Sequence, residues 1–304
     1  MISDSFARGI IVPPGIQIPR AGDWSANLPV IENTIERDCI WIETISAHFG
    51  HSIVENPNRL WILLEDEFSA LRDPLFVGFS THKLPLIKSE WPEFLREPLK
   101  AWGVPIDAVE IIDKPTVFCN LYVPRAISPF SPGNRLQAYS KLMAKAGRSI
   151  SMEQPDTGRP TMIYLSRSKL PESGRFLRDG VEVILEAIFQ NFGFSILHTE
   201  TMSFVDQVCM IRGATHIAGC VGSQLHLAAF RDFGPLKMFR IAPSFFDPEI
   251  DERIVAGLGG EVQTFRVEQP KPDGPRNLQS WALSKSVIAE IERAAALWLA
   301  GLDK

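Results

Sequence analysis

The stretch IAGCVGSQLHLAAF, residues 217–230, is the part of the sequence that best defines the fold. An apolar run that predicts a buried strand enters a turn at Gly219 and Gly222, and a helical pattern follows. Ser223 occupies the expected N-cap position, and His226 lies on the first turn. The N–H groups and the dipole of such a helix favour an anion, so the pattern predicts a diphosphate site at the carboxyl end of a parallel sheet. The alternative is a glycine turn required only for packing, beside a structural histidine.

A second candidate site follows the strand predicted at residues 161–168, TMIYLSRS. Ser166, Arg167 and Lys169 lie at the end of this strand. The guanidinium of Arg167 suits bidentate hydrogen bonding to a phosphate, and nearby hydroxyls add further donors. A solvent-exposed basic loop is the alternative interpretation of the same residues.

A third candidate site lies in GHSIVENPNRLWILLED, residues 50–66, which predicts a helix that Pro57 bends or restarts. His51, Glu55 and Arg59 are spaced four residues apart and would share one helix face. A histidine beside a carboxylate can supply a general base. The alternative is a surface ion pair between Glu55 and Arg59 next to an unrelated histidine. The spacing does not indicate a metal site.

Short apolar runs alternate with helical patterns throughout the chain, which is typical of an α/β fold built on parallel sheets. We predict a strand that enters a helix at 36–48, further strands at 75–80, 108–113, 117–124, 161–168, 194–200, 215–223 and 237–243, and helices at 90–104, 178–192, 203–214 and 224–233. A C-terminal helix is predicted at 278–301, with Trp281, Ile288, Ile291, Ala295 and Trp298 on one stripe. The polar segment at 151–160 is the best linker candidate. The chain is therefore predicted to form two Rossmann-like α/β domains, residues 1–150 and residues 151–304.

Composition excludes several classes of protein. With 304 residues, 45% of them hydrophobic and 22% charged, the chain has the composition of a globular protein rather than a disordered one. A net charge of −5 argues against binding to a nucleic-acid backbone or to an anionic membrane as the main role. The four cysteines, Cys39, Cys119, Cys209 and Cys220, form no CxxC pair and no zinc-site spacing, which predicts free thiols. The sequence has no transmembrane run and no signal peptide, so we expect a soluble cytoplasmic protein.

Four segments resemble glycosyltransferase family 61. FGHSIVENPNRLWIL (49–63) is similar to the family's FGHxLxExxxRLW segment, and YLSRSK (164–169) to its SR strand and loop. NLYVP (120–124) resembles the strand that closes the family's first half, and AGCVGSQLHLAAF (218–230) its glycine-rich turn. The residues that follow the SR loop at the family's spacing are Arg178, Glu182, Ser203, Phe204 and Gln207. The resemblance covers residues 48–243 and implies a bacterial member of the capsular-polysaccharide type.

The resemblance implies a GT-B-like fold and inverting transfer of a sugar from a nucleotide-sugar, most typically a UDP-sugar, to a glycan or other hydroxyl acceptor. It assigns the donor to the second domain, with Arg167 and the Gly222–Ser223 turn neutralising the diphosphate. Ser166, Lys169 and His226 would add donor contacts, and Glu182 and Gln207 would support the site or contact the ribose. His51, Glu55 and Arg59 would face the acceptor, with His51 or Glu55 as the base. The resemblance implies no obligatory metal and leaves a divalent ion open.

Two positions depart from the family pattern. The family often has histidine where this chain has Val221, and asparagine where it has Val181. An inactive homologue that binds a nucleotide or a carbohydrate is therefore the alternative to an active enzyme. A Rossmann-type oxidoreductase is disfavoured because no GxGxxG motif follows a first strand. Peripheral association with the inner face of the membrane is a further expectation, although the stripe on the C-terminal helix favours packing on the protein itself.

Overall fold

The computed structural model describes residues 10–11, 31–65, 71–80, 84–152, 158–170, 180–246, 248–271, 273 and 281–301. Arg178, residues 153–157 of the predicted linker and most of the first 30 residues lie outside the described residues. The chain divides into two compact units, Met1–Leu142 and Met143–Lys304, which are described separately below.

The first unit contains a five-stranded sheet. Its strands are β1 (Ile10–Ile11), β2 (Asn33–Ile45), β3 (Leu75–Ser80), β4 (Val109–Ile111) and β5 (Thr116–Tyr122). They are arranged in the order β1-β5-β2-β3-β4, and only the pairing of β1 with β5 is antiparallel. The chain runs outward from β2 through β3 to β4 and then returns to the other side of β2 with β5. The sheet therefore reverses its strand order between β2 and β5, which is where doubly wound sheets bind ligands.

The helices of the first unit are α1 (Phe49–Val54), α2 (Glu93–Trp102) and α3 (Asn134–Ser151), the last of which contains the boundary between the units. Gly103 ends α2 in the left-handed conformation with φ 87°, one residue before the end of the helix predicted at 90–104. The helix predicted at 50–66 restarts, because α1 ends at Val54 and a 3₁₀ helix follows at Asn56–Leu64. Pro57 lies in the first turn of this second helix, where a missing N–H costs little.

The second unit contains a five-stranded sheet in which every pairing is parallel. Its strands are β6 (Met162–Ser166), β7 (Ser195–His198), β8 (His216–Cys220), β9 (Lys237–Pro243) and β10 (Glu261–Val267), arranged in the order β10-β9-β8-β6-β7. The helices are α4 (Val181–Asn191), α5 (Phe204–Ile211), α6 (Ile250–Gly257) and α7 (Lys285–Ala300). The strand order reverses between β6 and β8. One mainly parallel and one wholly parallel sheet, with intervening helices, confirm the predicted Rossmann-like α/β class.

An aromatic core covers one face of the second sheet. Tyr164 stacks on Phe189 with ring centroids 4.8 Å apart, and Phe239 lies 5.3 Å from Trp298 of α7. The stripe predicted on the C-terminal helix is packed in this core through Ile291, Ala295 and Trp298. Trp281 belongs to the same cluster but precedes the helix, because α7 begins at Lys285, where the Ser284 hydroxyl accepts a hydrogen bond from the Val287 N–H. No helix within the described ranges is long and apolar enough to cross a membrane.

Candidate functional site

The two segments predicted to bind phosphate meet at the reversal of the second sheet. β6 and β8 are neighbours, with Tyr164 paired to Ala218, and they end at Ser166 and Cys220. Arg167 directly follows β6, and its Nη1 lies 3.5 Å from the carbonyl oxygen of Val221. A Cβ placed on Gly222 would lie 2.6 Å from the same nitrogen. The basic loop and the glycine turn therefore form one surface at the carboxyl edge.

Gly222 is required for space and not for an unusual backbone conformation. Its φ of 165° and ψ of 170° are extended angles that any residue can adopt. The Arg167 guanidinium and the Gln224 side chain instead occupy the volume that a Cβ would need. The glycine thus lets a guanidinium approach the turn, which is the arrangement expected for shared contact with an anion.

The prediction of an α-helix after this turn is wrong, because residues Ser223–Phe230 form a 3₁₀ helix. Ser223 is its first residue rather than its N-cap, and Gly222 occupies the cap position without a side-chain bond. All side chains from Gln224 to Phe230 except His226 are buried, so packing on several sides sets the local geometry. Since a short 3₁₀ helix aligns fewer peptide dipoles, Arg167 rather than a helix dipole is the main positive group at this edge.

Glu182 lies beneath the Arg167 loop. This buried residue of α4 accepts a 2.9 Å hydrogen bond from the Tyr164 hydroxyl and a further bond from the backbone N–H of Arg167. Burial raises the pKa of Glu182, and the bonds from Tyr164 and Cys220 together with the charge of Arg167 partly oppose that rise. Burial also raises the pKa of Tyr164 and of Cys220 well above their ordinary values. Two roles were expected for Glu182, support of the site or contact with the ribose. Its burial beneath the loop fits support of the site.

Three of the other predicted donor residues make contacts within the protein. The wholly buried Ser166 hydroxyl donates a hydrogen bond to Glu186. The Lys169 backbone N–H donates a 2.8 Å hydrogen bond to Glu200 Oε1. Gln207 donates from Nε2 to the carbonyl oxygens of Thr199 and Met202 and so braces the segment after β7.

His226 points toward helix α6. Its Nε2 lies 3.5 Å from Oδ1 of Asp251, which is fully buried and also contacts the buried guanidinium of Arg240. The family resemblance implies a donor contact for His226, and a structural histidine is the alternative. Since its ring faces an internal ion pair, a structural role fits its surroundings better.

The candidate base in the first unit is a close histidine–carboxylate pair. His51 Nδ1 lies 2.6 Å from Glu55 Oε1, and both side chains are about half exposed. The carboxylate accepts from Nδ1–H, so Nε2 holds the lone pair of the neutral ring, as a general base requires. The pair follows β2, at the point where the strand order of the first sheet reverses.

Arg59 does not share the face of His51 and Glu55, which corrects the predicted helical spacing. The α-helix ends at Val54, and the 3₁₀ helix that follows turns Arg59 toward β2. There it forms a 2.9 Å ion pair with Glu43 and donates to the carbonyl oxygen of Pro124, just beyond β5. Arg59 therefore links the segments after β2 and β5, and it supports the edge on which His51 lies.

A comparison of the sequence with models of protein families identifies one family. The family model described as Glycosyltransferase 61 matches residues 49–236, more than half of the chain. The chain belongs to glycosyltransferase family 61. No curated protein matches the chain. The range matched by the family 61 model contains His51, Glu55, Arg167 and Gly222, so it includes the carboxyl-edge residues described in both units.

Sequence reasoning missed several charged residues of this family 61 chain. Glu186 and His198 lie at the carboxyl ends of β6 and β7, and Glu43 is the partner of Arg59. Glu186 follows Glu182 by four residues, and both share the inward side of α4 with Leu185 and Phe189. Acidic residues on the apolar face of a helix are the signal that would have identified this pair. Within the described ranges, no group of three or more His, Cys, Asp or Glu side chains could hold a metal ion.

Proposed function

We propose that this chain is an inverting glycosyltransferase that transfers a sugar from a nucleotide-sugar, a UDP-sugar, to a hydroxyl of a glycan or related acceptor. In the manner of a GT-B enzyme, the second unit binds the donor and the first unit binds the acceptor. Membership of family 61 supports the reaction class. The division of roles between the units follows from the kind of residues that each one presents at the carboxyl edge of its sheet.

The observation on which the donor site rests is the contact between Arg167 and the Gly222 turn at the strand-order reversal. As the glycosidic bond breaks, negative charge develops on the departing diphosphate. A guanidinium already in place stabilises that charge more in the transition state than in the bound donor. Arg167, Lys169 and the backbone at Gly222 and Ser223 therefore take the role that a metal ion has in other transferases.

In the proposed reaction the acceptor oxygen attacks the anomeric carbon from the face opposite the diphosphate. The bond from acceptor oxygen to carbon forms while the bond from carbon to diphosphate oxygen breaks. His51 takes the acceptor proton on Nε2, and Glu55 stabilises the imidazolium that results, since its carboxylate lies 2.6 Å from Nδ1. Attack from the opposite face inverts the anomeric configuration.

We further propose that the reaction belongs to surface-polysaccharide synthesis of the bacterial capsular type, in the cytoplasm at the inner face of the membrane. This part of the proposal rests on family membership and on the sequence resemblance alone.

Two buried valines favour a second candidate function, a homologue that binds nucleotides or carbohydrates without turnover. Val181 lies in the apolar core, and Val221 is buried with its N–H bonded to the carbonyl oxygen of Ile241. Neither presents a polar side chain at the carboxyl edge, where the family often has asparagine and histidine. Turnover of a nucleotide-sugar distinguishes an active enzyme from such a homologue.

The test is a thermal-shift titration with UDP, GDP, CMP and NAD, each with and without Mn²⁺. We expect UDP to stabilise the protein without Mn²⁺, by about 2.7 kcal/mol at a hundredfold excess over Kd. Arg167→Ala should lower kcat/KM by ~10²-fold or more. Arg253→Ala, which removes an exposed arginine paired with Glu249, is the matched control. Near-native turnover by the Arg167 variant would remove this residue from the mechanism, and stabilisation by NAD alone would contradict the donor assignment.

A further inference from the structure

A buried hydrogen-bond cluster adjoins the Arg167 loop and has Glu186 at its centre. The Ser166 hydroxyl lies 2.5 Å from Glu186 Oε1, and the same hydroxyl oxygen accepts a 3.0 Å bond from the Ser168 N–H. Ser166 is fully buried, and Glu186 is largely buried. The two bonds enclose Arg167, which stands between Ser166 and Ser168 in the chain. The carboxylate of Glu186 therefore fixes the backbone from which the guanidinium extends.

The cluster also joins two strand ends. His198 is the last residue of β7, and its Nδ1 lies 3.9 Å from Glu186 Oε1 and 3.4 Å from the Ser168 hydroxyl. One and the same ring nitrogen faces both groups. The arrangement is therefore not a relay of nucleophile, base and acid, which needs a different nitrogen for each partner. It is a brace that ties the carboxyl ends of β6 and β7 to α4.

Glu186 and Glu182 hold the loop at different points. Glu182 accepts from the backbone N–H of Arg167, while Glu186 accepts from the side chain of the preceding serine. Both carboxylates come from α4, one helical turn apart. The two side chains thus accept hydrogen bonds from consecutive residues of the loop, Ser166 and Arg167, so one helix holds the loop at two adjacent points.

We propose that Glu186 is a positioning residue that, through Ser166, holds the Arg167 loop so that the guanidinium stays against the Gly222 turn. Glu186 itself contacts protein groups and takes no part in bond making. The consequence for diphosphate binding rests on the proposed function, whereas the consequence for the loop itself does not. Loss of the carboxylate releases the Ser166 hydroxyl, then the Ser168 N–H, and then the guanidinium.

The first test is amide hydrogen exchange on the ligand-free full chain, followed by mass spectrometry of peptides covering residues 162–170. We expect exchange to be roughly tenfold faster in Glu186→Ala than in the unmodified protein at Ser168 and at Leu170, whose N–H donates to the carbonyl oxygen of Arg167. Glu186→Gln keeps an acceptor for Ser166 and should restore most of the protection, and it also serves if the alanine variant does not fold. Gln190→Ala, an exposed position on the same helix, is the control and should change nothing. Unchanged exchange in Glu186→Ala, or exchange in Glu186→Gln as fast as in a folded Glu186→Ala protein, would overturn the proposal.

The second test measures UDP and uridine binding by calorimetry. Glu186→Ala should weaken UDP binding by roughly tenfold, leave uridine binding unchanged, and have no effect when Arg167 is already alanine. An equal loss in both backgrounds would show general structural damage and would also overturn the proposal. If the unmodified chain binds no nucleoside diphosphate, the proposed function fails, and the exchange experiment still decides the role of Glu186.

Discussion

Replacing Gly222 by alanine provides a sharp test of the donor site. An added Cβ would lie 2.6 Å from Arg167 Nη1, whereas ordinary contacts begin at 3.4 Å. The guanidinium must therefore withdraw by about 0.8 Å, which stretches a phosphate hydrogen bond beyond its useful range. A bond to a charged group contributes about 1.5–3 kcal/mol, so UDP affinity should fall roughly 10- to 100-fold.

The same substitution should have little effect on stability. Gly222 has extended backbone angles that alanine also adopts, and the groups in its way are the ends of flexible side chains. Alanine also lowers the conformational entropy of the unfolded chain, which stabilises the folded protein by about 0.4–1 kcal/mol. We therefore expect the free energy of unfolding to change by less than ~1 kcal/mol. Binding and folding effects are thus separated within one variant.

The assay is calorimetric titration with UDP and uridine, together with urea unfolding. Gly213→Ala is the matched control, because no heavy atom of the described residues lies within 4 Å of a Cβ there. We expect the control to bind both ligands like the unmodified protein. Unchanged UDP affinity in a folded Gly222→Ala protein would refute the placement of the guanidinium at the phosphates. Equal losses for UDP and uridine would refute the assignment of the effect to the diphosphate.

Three further outcomes are expected. Gly147→Ala should lower the free energy of unfolding by roughly 1–3 kcal/mol in urea unfolding, because the added Cβ would collide with the backbone carbonyl of Phe230. The collision outweighs the ~1 kcal/mol by which alanine favours a helix over glycine. Burial raises the pKa of Glu182 above 4.5, so the folded protein keeps a proton that the unfolded chain has released. The free energy of unfolding should therefore decline as pH rises above 4.5, and Glu182→Gln should remove this decline. Burial lowers the pKa of His216 below 6.5, and the charge of Lys237 adds a smaller effect in the same direction. The free energy of unfolding should therefore decline as pH falls below 6.5, and His216→Gln should reduce this dependence on pH. Urea unfolding between pH 4 and pH 8 checks both, and an unchanged slope in either variant would contradict its prediction.

The bounds of strands could be predicted best where both faces are buried. LFVGFS at 75–80 and KMFRIAP at 237–243 were assigned with the bounds that the structure shows, because an unbroken apolar run leaves little choice of element. Strand β10 was not predicted. It lies at the edge of its sheet, and partial exposure of nearly every residue weakens the apolar pattern that would reveal it.

Local rules were least reliable where contacts distant in sequence set the geometry. Ser223 has the residue type of an N-cap, yet packing of Gln224–Phe230 on several sides produces a 3₁₀ helix that begins at Ser223 itself. Arg59 has the spacing to join His51, but the change of helix type after Val54 directs it to Glu43. In contrast, the helix predicted to begin at Ser203 does begin there, because the Ser203 hydroxyl caps α5 by a bond to the Asp206 N–H within one helical turn.

The sequence by itself determined the alternation of strands and helices, the family, and the fact that Arg167 and Gly222 each follow a strand. These properties depend on residue order and periodicity alone. Only the tertiary structure decided that the strand before Arg167 pairs with the strand before Gly222, and that Glu186 lies under the loop between Ser166 and Ser168. Strand order and helix docking depend on hydrogen bonds and packing between residues far apart in the chain, 54 positions apart where β6 pairs with β8, and no local pattern specifies them.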